Sequence, residues 1–433
     1  MKKRLHGVLV FAFCMSFTGL ASALTSIEEL GKSIYEDPVY SANGNQSCQS
    51  CHHPNAQFSD PVNRIAPLYR PVSEGSILAK FGGRNAPPSA YAAFNPPLSY
   101  DAATGLFIGG LFWDGRASGI AVTATGDLIA GPTFDPLADQ AKGPFGNPVE
   151  MALVDDINAD GKVVKTTEDK VVEKLRLAPY AKLYKKAFGV DIAVADVPTA
   201  YNNIALAISA FEKSTELNRF SSKFDKFSNE QGIAYVMTLT DANVDTTPVK
   251  STVYSAEEVD GLRLFNGKGK CSLCHVLDNQ PDGKTPTVFT DFTYDNLGIP
   301  VNPLVNTLAG DQATDLGLAS NPEILAAAYG SILPDLVLSA QRGKFKVSSL
   351  RNIARTAPYG HNGYFPTLYD IVHFYNTRDC NDGIGTNGTC SAMTSWASPE
   401  VPETVNNTEL GDLGLTFEEE QKIVIFLETL TDL

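Results

Sequence analysis

Past its first two dozen residues, this 433-residue chain has no long apolar run. A membrane-spanning helix needs about 20 consecutive apolar residues, so no span is expected. Positive charge is also scarce: 34 Lys and Arg stand against 49 Asp and Glu, for a formal net charge of −15. Nucleic acids and anionic membrane surfaces are bound through clustered cations, so neither is an expected partner. Soft metal ligands are few, with seven cysteines, six histidines and five methionines. A zinc centre wants four clustered ligands, and no Cys or His group in the chain has a second pair near it.

The scarce residues are concentrated instead. Four cysteines and two histidines fall into one five-residue pattern, written twice: Cys48-Gln49-Ser50-Cys51-His52 and Cys271-Ser272-Leu273-Cys274-His275. At these counts, chance supplies about 0.002 such matches. C-x-x-C-H is the attachment site of a c-type haem. Two thiols reach the two vinyl groups on one edge of a porphyrin, and the next imidazole turns under the ring to bind iron. The competing reading is a CxxC redox pair or half a zinc site. Two covalently bound haems c are expected, held by Cys48, Cys51 and His52 and by Cys271, Cys274 and His275.

The start of the chain fits that chemistry. Lys2, Lys3 and Arg4 precede a short apolar stretch from Val8 to Phe17, and Ala21-Ser22-Ala23 offers small residues for cleavage. Residues 1–23 therefore read as a secretory signal peptide. Cys14 lies inside it, between Phe13 and Met15, which do not suit a lipoprotein cut. The expected location is a bacterial periplasm, where c-type haems are attached. Cys380 and Cys390 remain, in a loop rich in Asn, Gly and Asp. In an oxidising compartment a disulfide is the simplest state for them, and two free thiols the alternative.

Each haem motif follows a similar helical pattern. Ser26-Ile27-Glu28-Glu29-Leu30 opens the first and Ser255-Ala256-Glu257-Glu258-Val259 the second, each with Ser at the cap and Glu three residues on. Apolar residues then recur at helical spacing: Ile27, Leu30, Ile34 and Val259, Leu262, Phe265. The chain reads as mainly α, with two cytochrome c-like haem domains related by internal duplication and wrapped in long loops. The first covers residues 24–237 and the second residues 255–433, with a polar linker at 238–254. Helical patterns are expected at Lys170 to Phe188, Thr199 to Leu217 and Thr416 to Leu430. Asp156-Ile157-Asn158-Ala159-Asp160-Gly161 imitates the start of a calcium loop, but Thr167 stands where a bidentate Glu is needed. A solvated polar turn is the expected reading.

Two haems have four axial positions, and His52 and His275 fill two. His53, His361, His373, Met151, Met237 and Met393 are the other mature imidazoles and thioethers. An electron carrier saturates both irons. A peroxidase leaves one open, with an acid/base group above it.

The order of motifs resembles the bacterial di-haem cytochrome c peroxidase and MauG family over nearly the whole mature chain. The matching segments are CQSCH, GGRNAPP, FWDGR, GPFGNPVEM, CSLCH, FTDFTYDNLG, FKVSSLRNIARTAPYGHNG and FLETLT. The resemblance implies hydrogen peroxide as substrate at the N-terminal haem. Glu150 is then the distal carboxylate that moves a proton from one peroxide oxygen to the other. It implies that Gln140 orients the substrate and Pro144 limits access. Trp113 matches the tryptophan between the haems, an electron relay or a buried aromatic anchor. Asn85, Thr356 and Pro358 match the residues that hold one inter-domain calcium ion.

Three departures set the chain apart from the plain peroxidases. Residues 65–95 contain no histidine, so no removable cap for the N-terminal iron is expected. Tyr375 stands where those peroxidases place a distal methionine, as in MauG-like members, and His373 is the competing ligand. Their side chains face different ways on a helix, so only one binds. An insertion is read around Gly119 to Asp135. The expected function is a periplasmic di-haem peroxidase that draws electrons through the C-terminal haem, with MauG-like oxidation of a protein partner. The alternatives are a detoxifying peroxidase fed by a small cytochrome or cupredoxin, and a non-catalytic di-haem electron carrier.

Overall fold

The structure, a computed structural model, describes residues 23–120, 135–310, 312–380 and 396–433. The expected signal segment up to residue 22, most of the expected insertion, Cys390 and Met393 lie outside the described residues. Helices dominate. Among the described residues, strands occur as three two-stranded antiparallel ladders: β1 (Ser99–Asp101) with β2 (Leu106–Ile108), β3 (Asp156–Ile157) with β4 (Val163–Lys165), and β5 (Tyr294–Asp295) with β6 (Phe345–Lys346). This is the mainly α fold expected. No described helix is long and apolar enough to cross a membrane.

The first core gathers α1 (Ser26–Glu36), the one-turn α2 (Cys48–Cys51), α3 (Pro136–Gly146), α4 (Thr167–Leu177) and α5 (Val197–Glu212). Leu30 and Ile34 of α1 pack with Val171 and Leu175 of α4 and with Ile204, Ile208 and Phe211 of α5. Each such side chain, fully buried, contributes about 1.5–3 kcal/mol. The cap of α1 is Thr25, one residue before the Ser expected from the pattern, because Glu28 closes the box with it at the third helical position. The helix expected over Lys170 to Phe188 is two, Thr167–Leu177 and Lys182–Phe188. Pro179 lies between them and biases Ala178 out of the helical region.

The second core gathers α6 (Lys223–Gln231), α7 (Ala256–Asn266), α8 (Leu368–Thr377) and α9 (Phe417–Glu428). Leu262 and Phe265 of α7 pack on Ile423, Phe426 and Leu427 of α9. Ser255 and Thr416 cap α7 and α9 through the expected boxes with Glu258 and Glu419. Phe224 and Phe227 of α6, N-terminal to the expected linker, also pack in this core. Arg351, fully buried, donates to both oxygens of Asp225, at 2.7 and 2.9 Å. The chain end ties back as well, since Tyr91 Oη donates to Asp432 at 2.7 Å.

One glycine in each half decides how closely its helices cross. A Cβ on Gly31 of α1 would lie 1.8 Å from the Ala207 carbonyl oxygen of α5, and one on Gly261 of α7 would lie 2.0 Å from that of Lys422 in α9. Both are the sixth residue of their helix.

Away from the cores, β3 and β4 form the exposed hairpin around Asp156 to Gly161. Asn158 Oδ1 accepts from the Asp160 and Lys162 amides at 3.0 and 2.9 Å, and Lys170 pairs with Asp156 at 2.6 Å. A self-satisfied polar turn accounts for this stretch. Cys380 is disulfide-bonded.

Candidate functional site: two cavities on the repeated motif

The first pentapeptide begins as a helical turn. Ser47 caps α2 through a reciprocal bond with Ser50, which sets Cys48 and Cys51 on one turn. The chain then doubles back through Gln57 and Phe58, both at positive φ, with the Phe58 amide on the His53 carbonyl at 2.9 Å. This loop turns the Phe58 carbonyl toward His52, whose Nδ1 lies 3.2 Å from it. A carbonyl only accepts, so Nδ1 carries the proton and Nε2 keeps its lone pair for a metal. Burial lowers the His52 pKa, which favours the neutral ring.

The second pentapeptide repeats the solution. Cys271–Leu273 forms a 3-10 turn, and His275 Nδ1 lies 2.9 Å from the carbonyl of Phe289, again a residue at positive φ. Burial also lowers the His275 pKa. The four thiols are pushed up by burial, Cys51 and Cys271 to about 12. A CxxC redox pair needs the opposite, a lowered thiol pKa. The donor set therefore suits two haems c: paired thiols for thioether bonds, followed by a neutral imidazole with its tautomer fixed.

The two motifs open into different spaces. The first lines a cavity of about 580 Å³ and the second one of about 170 Å³. Gln140 and Pro144, one turn apart on α3, line the larger cavity together with Glu150 and His52. Past α3 the chain returns through a turn closed by the Met151 amide on the Pro144 carbonyl at 3.2 Å, which brings Glu150 back to the cavity. Its Oε1 accepts from Asn147 Nδ2 at 2.7 Å. Burial raises the Glu150 pKa, opposed by the Arg116 charge and the Asn147 bond.

Tyr375, on α8, lines the smaller cavity with Cys271, Cys274 and His275, among Ile353, Ile371 and Leu413. Burial first, then the neighbouring Cys271, Cys274 and Asp295, push its phenol pKa up. His373 is not among the residues lining this cavity. Its Nδ1 is 3.0 Å from Glu420 Oε1, and its ring stacks on Tyr369 at 5.5 Å. Met151 is buried at the larger cavity, and Met237 is exposed.

Trp113 lines both cavities. Its Nε1 donates to the Asn85 carbonyl at 2.8 Å, and its own carbonyl accepts from the Lys346 amide at 2.9 Å. Asn85, Thr356 and Pro358 meet at the smaller cavity, where Asn85 Nδ2 donates to the Pro358 carbonyl at 2.8 Å. A hard cation there needs the amide turned so that its oxygen faces the carbonyl side, an exchange of two atoms of nearly equal size.

Several residues of the site escaped sequence reasoning. Glu212 falls within the helical pattern expected at Thr199 to Leu217, which carries no sign of a site, yet it lines the larger cavity, and burial pushes its carboxyl up to about 8. Lys346 is buried between the cavities, and burial brings its ammonium down to about 7. His361, in the segment APYGHNG, is buried against Phe345 with ring centroids 3.5 Å apart. Arg84 joins Asp114 and Asp315 at 2.7 Å each. Asp315 is 231 residues from Arg84, and a partner that distant leaves no local signal.

The comparisons with known proteins agree with this geometry. Residues 25–232 match the family model described as di-haem cytochrome c peroxidase. The methylamine utilization protein MauG of Paracoccus denitrificans is 32% identical over 94% of this chain and 89% of that protein. The cytochrome c551 peroxidase of Pseudomonas aeruginosa is 27% identical over 79% of this chain and 70% of that protein. Among solved structures, the diheme peroxidase BthA of Burkholderia thailandensis superposes with a TM-score of 0.68 at 27% identity, covering 94% of this chain and 86% of that one. Two paired-thiol motifs, each with a tautomer-fixed imidazole in its own cavity, and homology to MauG over nearly the full length lead to one conclusion: this chain is an oxidoreductase of the di-haem cytochrome c peroxidase and MauG family.

Proposed function

We propose that this protein is an exported, periplasmic peroxidase that cleaves hydrogen peroxide at the N-terminal site. It draws the electrons through the C-terminal site from a protein partner, which it oxidises as a MauG-like enzyme. The observation that carries this reading is the asymmetry of the two cavities: the wide one has a buried carboxyl, and the narrow one has a phenol among aliphatic side chains. When bound, the haems supply reversible one-electron iron chemistry and, at the first site, the metal centre where the O–O bond breaks.

The chain supplies the rest. Glu150 accepts a proton from one peroxide oxygen and returns it to the other, a transfer worth about 10²–10⁴-fold in rate. Asn147 holds the carboxyl for that exchange, Gln140 orients the substrate and Pro144 narrows the entry. Trp113, common to both walls, relays electrons between the sites. Tyr375, together with His275, would hold the iron of a haem bound at the C-terminal site, its phenol supplying an oxygen donor. The Glu420 bond that holds His373 away supports this choice. Asn85, Thr356 and Pro358 would hold a calcium ion, which would tie one site to the other. Two haem units, residues 24–237 and 255–433 with α6 of the first stretch packed in the second core, arose by duplication, as the matched caps and the glycines at equal helical positions suggest.

The ferric protein with both haems attached is expected to show one high-spin and one low-spin haem, and peroxide is expected to perturb both. A wholly low-spin protein inert to peroxide overturns the reading in favour of an electron carrier. In Tyr375→Phe the C-terminal haem is expected to become high-spin; an unchanged low-spin signal removes Tyr375 as ligand. Detoxification is the second reading, favoured by the similarity to the Pseudomonas peroxidase. Finding which periplasmic protein is covalently changed after peroxide addition separates the two.

A further inference from the structure

Glu212 ends α5, 3% exposed, with its Oε2 lacking any hydrogen-bond partner. It lines the larger cavity, close enough to act on the thiol of Cys48. Among the described residues, no side chain bonds that oxygen as Asn147 bonds Glu150. The Glu212 charge is felt by Tyr35 of α1 and Cys48 of α2. Asp135, at the N-cap of α3, raises its pKa, and Lys213 beside it lowers it. Those last two are bonded to each other at 2.7 Å. From α4, Val171 and Leu175 pack into the same core. The carboxyl is thus buried without a counter-ion of its own, and burial pushes it up to about 8. An oxygen bonded to nothing ties no elements together, so packing alone does not explain a carboxyl here.

We propose that Glu212 takes up one proton when the haem of the N-terminal site gains one electron, and releases it on reoxidation. This rests on the proposed occupancy of that cavity by a haem. Reduction lowers the charge of the iron site by one unit. In a site of low dielectric, that loss weakens the hold on a nearby anion and raises its proton affinity. The electron comes from a one-electron reductant, in the test a reduced mediator. The proton comes from solvent, and the Glu212 carboxylate becomes a carboxylic acid with no other bond changed. The carboxyl therefore has a lower pKa when the haem is oxidised and a higher one when it is reduced. Between those values the reduction equilibrium falls tenfold per pH unit, about 59 mV for one electron.

The test is a potentiometric titration of the protein with both haems attached, run across pH values on either side of about 8. In wild type the potential of the N-terminal haem is expected to fall with pH. In Glu212→Gln it is expected to be flat, while the C-terminal haem behaves alike in both. A slope that persists in Glu212→Gln, or a flat wild type, overturns the proposal. Infrared difference spectra of the wild type give an arm without a variant: reduction must produce a protonated-carboxyl band, and its absence also overturns the idea. Haem content and peroxide reactivity, measured on the same wild-type sample, separate this failure from failure of the peroxidase reading.

Discussion

The two cavities share a pentapeptide, a histidine bonded through Nδ1 to the carbonyl of a positive-φ phenylalanine, and paired thiols raised by burial. They differ in size, about 580 against 170 Å³, and in the groups beyond the histidine. The larger presents Glu150 and Glu212, and the smaller presents Tyr375 among aliphatic side chains. The motif fixes how a haem is held. The rest of each wall distinguishes the two sites, and it is drawn from elements about a hundred residues away or more.

The largest expected effect breaks this comparison at the wider cavity. Glu150→Gln should slow the reaction with peroxide by roughly 10²–10⁴-fold in stopped-flow kinetics. Because burial raises the Glu150 pKa, its base form is lost as pH falls through a value above the ordinary carboxylate range of about 4.3. The wild-type rate should therefore decline on the acid side earlier than an exposed carboxylate predicts. The variant should lose that limb, and an unchanged rate and profile would take Glu150 out of the chemistry.

The next tests what joins the halves. Asp225→Ala leaves Arg351 buried without its carboxylate, a change that costs about 3–5 kcal/mol. Denaturant unfolding should show the second core failing first. Equal loss in both cores would mean that the pair supports the whole molecule. The smallest effect compares the halves directly. Gly31→Ala and Gly261→Ala each press a methyl group into a crossing backbone, for about 1–3 kcal/mol apiece. Comparable losses would mark equivalent joints, and a tolerated change at either would mark the joints as unlike.

Much of this was legible because the signals are local. The pentapeptides, the caps at Ser255 and Thr416, and the apolar stripes of α1 and α7 depend on neighbours within a turn or two. Pro179 was equally visible, yet the apolar periodicity running past it concealed the break. Tyr375 and His373 stayed open because two residues apart on a helix differ only in what each meets. His373 meets Glu420, 47 positions on. Glu212 and Arg351 were silent for the same reason. Glu212 carries no motif, and Arg351, although inside the segment FKVSSLRNIARTAPYGHNG, owes its significance to Asp225, 126 positions away.

The packing of α6 has a consequence for anyone who would treat the halves as interchangeable cassettes. A cut through residues 238–254 strips the C-terminal fragment of Phe224, Phe227 and Asp225, which line its interior and neutralise Arg351. Such a fragment begins life with a hole and a naked cation, and adding haem fills neither. Grafting or recombining the second unit therefore requires carrying over the stretch that begins at Ser222.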